Sequence, residues 1–172
     1  MKRLTVLRHA KSSRDEPGTA DFDRPLNPHG WKSARRMGRE LRDRGIRFDL
    51  CVASPAARVR ETLDGLAEGY GQFGFAIAFE GRIYMAEAAT LLGLVRALPE
   101  HVESPLLVGH NPGLERLIAM LTRDDDKGLR ERIAGKFPTA ALASIDLPAR
   151  NWAEVERSSG TVAELILPKE LD

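Results

Sequence analysis

The stretch Leu4-Thr5-Val6-Leu7-Arg8-His9-Ala10-Lys11-Ser12-Ser13 changes character halfway along. An apolar, β-branched run stops at an Arg-His pair, and the chain then turns polar. Such a run reads as a buried parallel strand with chemistry at its carboxyl end, where open α/β sheets place their ligands. The pattern returns in Leu106-Leu107-Val108-Gly109-His110-Asn111-Pro112, again an apolar run ending in histidine. Taken alone, either histidine is an ordinary residue at the end of a strand. Taken together, with Arg8 beside the first, they predict two imidazoles on one rim and favour a phosphate site.

Between and beyond these strands the pattern alternates. A polar loop, 12–23, precedes a helix from Pro28 to about Arg44 with Trp31, Ala34, Met37 and Leu41 on its apolar face and Gly45 placed to end it. Strand 48–53 is followed by a helix opened by Ser54-Pro55 with Val59, Leu63, Leu66 and Tyr70 inward, then a short strand at 75–79 and a helix over 87–98. After the His110 strand, Asn111-Pro112 opens a helix carrying Leu114, Leu117, Ile118 and Leu121. The charged segment 127–136 fits no single element. Strands follow at 139–147 and 162–167. Alternating strand and helix with right-handed crossovers predicts an α/β fold, a three-layer α/β/α sandwich with a mostly parallel sheet and helices on both faces. No linker or repeat divides 1–172, so one domain is expected.

Asn27-Pro28, Ser54-Pro55 and Asn111-Pro112 share a device: an N-cap residue followed by proline at the first helical position. Two of these helix starts follow a strand directly, so their free N–H groups are expected at the sheet's carboxyl rim, where they would favour an anion. Each is equally readable as an ordinary helix start.

Composition narrows the function. The 172 residues are 42% hydrophobic, enough for a core, and the formal net charge of +1 gives no electrostatic reason to expect nucleic-acid or acidic-membrane binding. No apolar run approaches the roughly 20 residues of a membrane span. Met1-Lys2-Arg3 leads straight into a strand, and the single cysteine offers no disulfide framework. A cytoplasmic protein is expected.

Several motifs fail on inspection. Gly69-Tyr70-Gly71-Gln72-Phe73-Gly74 has the letters of a dinucleotide fingerprint, but it follows a helix and precedes a strand, the reverse of the required order, and reads as a flexible loop. Cys51 and Arg58 are one residue too far apart for a cysteine-phosphatase loop, and Cys51 falls inside a strand. Asp124-Asp125-Asp126 lacks the downstream glutamate of a calcium loop and reads as a solvated turn. No cofactor or metal is expected.

The constellation that survives is His9, Arg8, Arg58 and His110. Arg58 falls in the first turn of its helix, where side chains lean back toward the helix N-terminus and hence the rim. Two guanidiniums there would fork onto the oxygens of a phosphoryl group. Phosphoryl transfer needs mainly positioning and charge stabilisation in line with a nucleophile. A neutral imidazole serves as that nucleophile, its pKa lowered by neighbouring cations. His9 is assigned this role, and His110, protonated, would stabilise the developing charge.

These residues resemble a known family. Arg8-His9-Ala10 resembles the Arg-His-Gly signature of the histidine phosphatase superfamily, the phosphoglycerate-mutase-like fold. Pro25-Leu26-Asn27 with Gly30, Ser54-Pro55-Ala56 with Arg58 and Thr62, and Gly109-His110-Asn111-Pro112-Gly113 resemble its later blocks in the same order. The short length, Lys11-Ser12-Ser13, Asp23-Arg24-Pro25-Leu26 and the last block look most like SixA-type phosphohistidine phosphatases. The resemblance spans Leu4 to about Leu147. It implies a phosphohistidine intermediate on His9, a phosphate pocket of Arg8, Arg58, His110 and Asn111, and no metal. Ala10 stands where the family has glycine, leaving the backbone less freedom. Arg24 and Asn27 either reach the pocket or anchor the loop and cap the helix.

Protonating a leaving group calls for a carboxyl near the rim. Glu87, after Ile83-Tyr84-Met85-Ala86, is the first candidate, since the larger mutases carry a glutamate in this region, though it is equally a first-turn helix residue. Asp15 and Asp21 are fallbacks, while His29 and His101 read as surface residues. A phosphohistidine substrate reduces the need for an acid, because its leaving imidazole carries its own proton. The compact chain, with no long insertion to roof the pocket, and the SixA-type resemblance imply an open site and, as partner, a phosphorylated protein or a small phosphoester. A small phosphoester on the same scaffold, or a noncatalytic phosphoryl-binding module, are the competing readings, and neither partner identity nor oligomeric state is legible.

Overall fold

A computed structural model describes residues 1–14 and 16–171. Six strands form one sheet: β1 (Lys2–Arg8), β2 (Leu50–Ala53), β3 (Ala76–Phe79), β4 (Pro105–Gly109), β5 (Leu142–Leu147) and β6 (Thr161–Ile166). Their order is β3-β2-β4-β1-β5-β6. The β3, β2, β4 and β1 neighbours pair in parallel, while β5 and β6 are antiparallel additions beside β1. The site-bearing half of the sheet is thus the parallel half. The chain leaves β1, builds β2 two positions away, and returns later to fill the gap with β4. That places the crossover point between the two histidine strands.

Five helices cover the two faces: α1 (Pro28–Asp43), α2 (Ala57–Tyr70), α3 (Ala88–Arg96), α4 (Gly113–Leu121) and α5 (Leu129–Gly135). Period-two alternation along β1 divides the core. Leu4 and Val6 join Leu91, Val95, Leu114 and Leu117 of α3 and α4, whereas Leu7 joins Met37, Leu41, Val59 and Leu66 of α1 and α2. The three-layer α/β/α architecture follows directly. α5 resolves the ambiguous charged segment: the Asp125 carboxylate accepts from the N–H groups of Leu129 and Arg130 and starts the helix.

Helix ends obey local chemistry in some places and tertiary context in others. Asn27 caps α1 as expected, its Oδ1 accepting from Gly30 N–H at 2.8 Å, with Pro28 at the first helical position. The other end closes in a Schellman motif. Gly45, at φ +68°, donates to the Arg42 carbonyl, and Ile46 donates to that of Leu41. The two remaining Pro pairs correct the expectation. α2 starts at Ala57 and α4 at Gly113, two residues and one residue later than capping chemistry suggested. Ser54 continues the strand ladder, since its N–H donates to the Val108 carbonyl at 3.1 Å. Asn111 Oδ1 still accepts a helical N–H, but that of Glu115, at 3.3 Å. The glycine-rich stretch 69–74 is also only partly loop, because Gly69 and Tyr70 belong to α2 and Gly71 ends it at φ +110°.

α1 and α2 pack closely because glycine lines their crossing. A Cβ on Gly38 would lie 2.2 Å from the Leu66 carbonyl oxygen, and one on Gly69 would lie 2.0 Å from that of Arg35. Both contacts are with backbone, which cannot swing away. Gly38→Ala should therefore destabilise the fold by about 2–3 kcal/mol, read as a lower urea midpoint with an unchanged m-value.

Candidate active site

The site begins with strand register. β1 and β4 align so that Leu7 faces Val108 and Arg8 faces Gly109. The next residue of each strand is a histidine, and His9 N–H donates to the Gly109 carbonyl at 3.1 Å. The His9 and His110 ring centroids lie 5.3 Å apart. On the far side of β4, Ala53 faces Val108, so the following residue, Ser54, reaches His110. Its Oγ lies 2.8 Å from His110 Nε2. Ser54 is fully buried; sequence reading placed it on the rim as a helix cap and not as a partner of His110.

His9 is oriented by its own neighbour. Its Nδ1 lies 2.7 Å from the Ala10 carbonyl oxygen, which only accepts, so Nδ1 carries the hydrogen and Nε2 keeps its lone pair. Ala10 is fixed in turn: its N–H donates to Thr62 Oγ1 at 2.9 Å, and the Thr62 hydroxyl donates to the Arg58 carbonyl at 2.6 Å. The α2 helix thus sets the ring through two hydrogen bonds. Alanine fits at position 10 because its side chain joins Leu26, Ala34 and Ala140 in a small buried cluster.

Burial governs the protonation of both rings. His9 is pushed down to about 3, first by desolvation and then by the charges of its neighbours, opposed by the Ala10 hydrogen bond. The expectation that cations would be the main cause is corrected in rank. His110 is pushed down to about 4 by burial and then by Arg58, with Arg8 adding to this and Asp21 opposing. The expected protonated His110 is therefore neutral in this structure, since an imidazolium would be desolvated between two guanidiniums.

The two arginines lie close enough to both rings for their charges to act on them. Arg58 is almost fully buried at the start of α2, and its guanidinium donates to the Asp21 carbonyl at 2.8 Å and the Asp21 carboxylate at 3.2 Å. Arg8 donates one Nη to the Phe137 carbonyl at 3.2 Å. Arg8 Nε, Arg58 Nε and His110 Nδ1 are buried with no hydrogen-bond partner among the described residues. Leaving one such group unpaired costs about 1–3 kcal/mol, and all three belong to the residues gathered around the two imidazoles.

Asp21, only a fallback at the sequence level, is the carboxylate at this rim. Besides Arg58 it binds Arg24 through Oδ1 at 2.9 Å and accepts the Tyr84 hydroxyl at 2.5 Å. The Tyr84 and Arg24 hydrogen bonds, with Arg58 beside them, hold its pKa well below the usual carboxylate range. Its signal in sequence was faint: an acid three residues before Arg24. Tyr84 went unnoticed, yet its ring meets His110 edge-on at 5.4 Å and Phe22 at 5.1 Å. Gly109 and Gly113 admit the segment that carries it, since a Cβ at either would collide with Ile83 or with the Ala86 carbonyl. Glu115 is a carboxylate that sequence reading overlooked, and its charge opposes the burial that lowers the Arg8 pKa.

The other candidates fall around this centre. Arg24 also donates to Ser12 Oγ at 2.6 Å and the Ser13 carbonyl at 2.7 Å, and Asn27 caps α1, so both hold the first loop in place. Asn111 Nδ2 donates to the Phe137 carbonyl at 2.8 Å, sharing that acceptor with Arg8. Glu87 is exposed at the N-cap of α3, without a side-chain cap bond. Asp15 lies outside the described residues. His29 and His101 are exposed, and Cys51 is buried with its thiol pushed up to about 12 by desolvation. Among the described residues, no three His, Cys, Asp or Glu side chains are grouped to hold a metal ion.

Two predictions follow from these environments. His9 and His110 have folded pKa values below the ordinary 6.5, so the unfolded chain binds more protons as pH falls beneath that value, and stability drops with it. Urea midpoints should therefore decline from about pH 7 to about pH 5, and His9→Gln combined with His110→Gln should flatten that decline. In Tyr84→Phe, the Asp21 carboxyl loses the largest cause of its depression, and its NMR titration midpoint should rise.

Known proteins resemble this chain in sequence and in fold. Residues 4–78 match the family model of the histidine phosphatase superfamily (branch 1). An uncharacterized protein of Mycobacterium tuberculosis is 32% identical over 165 residues, covering 95% of this chain and 100% of its own. The crystal structure of an Agrobacterium tumefaciens protein assigned as phosphohistidine phosphatase SixA is 33% identical, with a TM-score of 0.79 over 97% of this chain and 98% of that one. A protein histidine phosphatase SixA complexed with tungstate shares the fold at a TM-score of 0.78 and 22% identity, over 98% of both chains. Alike in architecture and in sequence along nearly its whole length, the chain belongs to the histidine phosphatase superfamily and to its SixA-type group.

Proposed function

We propose that this protein is a phosphatase that forms a phosphohistidine on His9 and acts on phosphohistidine in a protein, without metal or cofactor. The observation that carries the proposal is the 2.7 Å contact between His9 Nδ1 and the Ala10 carbonyl, which leaves the Nε2 lone pair as nucleophile. That lone pair attacks phosphorus in line with the substrate imidazole. The substrate P–N bond breaks, and its electron pair returns to a ring already protonated on its other nitrogen, which departs as neutral imidazole. Water then attacks the phosphorylated His9. The P–Nε2 bond breaks, its electron pair returns to Nε2, and both water protons leave on dihydrogen phosphate.

Arg8 and Arg58 stabilise the phosphoryl oxygens through both steps. The phosphoryl group competes with Asp21 for the Arg58 guanidinium and offers acceptors to the unpaired Nε atoms. Its negative charge reverses the local field at His110, favouring the protonated ring that contributes a further donor. Because the leaving imidazole needs no added proton, the reaction proceeds without an acid at Glu87.

The test is a phosphoenzyme trap. Incubation with a radiolabelled phosphohistidine protein, quenched in alkaline detergent, should label the wild-type chain with base-stable, acid-labile phosphate. His9→Ala should abolish the label and lower kcat/KM by at least about a thousandfold. Hydrolysis of phosphorylated metabolites far faster than of the phosphohistidine protein would replace this reading with the small-molecule alternative. Binding without label or turnover would indicate a phosphoryl-binding module.

A further inference from the structure

A cleft of about 180 Å³ lies between α1 and the loop joining α5 to β5, outside the constellation above. Arg36 and Lys169 supply its charge, and His29, Pro138 and Thr139 are among its other lining residues. At Pro138 and Lys169 it meets a second depression, of about 260 Å³, whose other charged residues are Arg132 and Lys136. Among the described residues, no carboxylate lines either one. Elsewhere on the surface many cations face acids, as in Arg3–Asp146, Arg35–Glu68 and Arg44–Glu40. Here Arg132 binds Glu170 at 2.7 Å and Arg36 donates to the Leu171 carbonyl at 3.1 Å. Lys136 and Lys169 are exposed, and neither is among the residues that make an ion pair or side-chain hydrogen bond. On a chain whose net charge is only +1, this is a local concentration of positive charge.

The cleft shares a wall with the proposed site. Phe137 offers its carbonyl to Arg8 and Asn111, and Ala140 N–H donates to the Arg8 and His9 carbonyls at 3.1 and 3.0 Å. Pro138 and Thr139, the two residues between, face the cleft. The opposite wall starts at the N-terminal turn of α1, which is joined to the first loop by the bond from Asn27 N–H to the Lys11 carbonyl, two residues beyond His9. Both walls therefore reach the nucleophile within a few residues.

We infer that this basic cleft docks an acidic segment of the phosphorylated protein whose phosphoryl group enters the His9 pocket. The inference rests on the function proposed above and adds a second contact to it. A small phosphoester fills the pocket and gains nothing from the cleft, whereas a polypeptide carrying carboxylates beside its phosphorylated residue spans both. The cleft acts through encounter and affinity, so it lowers KM for the protein and leaves the chemical step alone.

The experiment compares wild type with Lys136→Glu combined with Lys169→Glu, two exposed positions outside the catalytic constellation. For an acidic phosphohistidine protein at low salt, the variant should lose roughly tenfold in kcat/KM, all of it in KM. Free phosphohistidine should be hydrolysed equally by both proteins. Raising salt from about 50 to about 300 mM should erase the difference. Equal losses on both substrates, or no loss on the protein, would overturn the inference. If neither substrate is turned over, the proposed function has failed and the cleft is judged by binding alone. A short fluorescein-labelled peptide rich in Asp and Glu should then bind wild type more tightly than the variant by fluorescence anisotropy, and equal binding would refute the cleft. Tighter binding of a single-stranded oligonucleotide of equal charge would also refute it, by changing the class of partner.

Discussion

The parallel ladder between β1 and β4 is the constraint on which the rest of the structure depends. Two residues facing each other, Arg8 and Gly109, hand the chain on to two histidines, and the bond from His9 N–H to Gly109 fixes that handover. A slip of one residue would send His9 to the opposite face and move Leu7 between cores, because side chains alternate with period two. The hydrophobic separation of Leu4 and Val6 from Leu7 therefore positions the imidazoles as firmly as any contact within the site. Burial of both sheet faces makes the register costly to change.

Around that ladder the protein gathers positive charge and withholds protons. Burial keeps both imidazoles neutral, while two guanidiniums remain charged beside them. Among the described residues nothing fully satisfies these groups, as the unpaired nitrogens of Arg8, Arg58 and His110 record. Asp21 offsets part of the imbalance by binding Arg58, and Tyr84 and Arg24 stabilise its charge. The pocket thus carries its own counter-ion, held by the first loop and not by the sheet. In the proposed reaction, that loop carboxylate is the group a phosphoryl ligand competes with.

A rigid strand rim and a loop-borne counter-ion have different origins. The rim is set by core packing, which tolerates little change. The counter-ion is held by a few polar bonds, whereas the Tyr84 segment and the loop from Phe137 to Ala140 are also anchored in the core by Ile83, Phe137 and Ala140. The glycines at 109 and 113 matter here for the missing Cβ, which lets the Ile83–Ala86 segment lie against β4 and α4. The Phe137 carbonyl links both regions, since it accepts from Arg8 of the rim and Asn111 of the α4 entry.

Much of this was legible in the linear chain. Apolar runs ending in Arg-His and Gly-His announced parallel strands with chemistry at their ends, and the alternation of periods gave the layers. Arg58 was readable because a first-turn helical side chain leans toward its own N-terminus. What stayed hidden involves groups whose partners are distant in sequence. Ser54 resembled a cap because Ser-Pro is good capping chemistry, but its N–H was already committed to Val108, so the helix began later. His110 was expected to be charged, since no local signal reports desolvation. Asp21 and Tyr84, 63 residues apart, share one hydrogen bond that no periodicity encodes. Sequence alone determined the strands, the helices other than α5 and the kinds of chemistry near their ends, because these follow from local pattern. Tertiary structure decided which polar groups meet, which are desolvated and therefore which carry a proton, because burial and long-range contact exist only once the layers close.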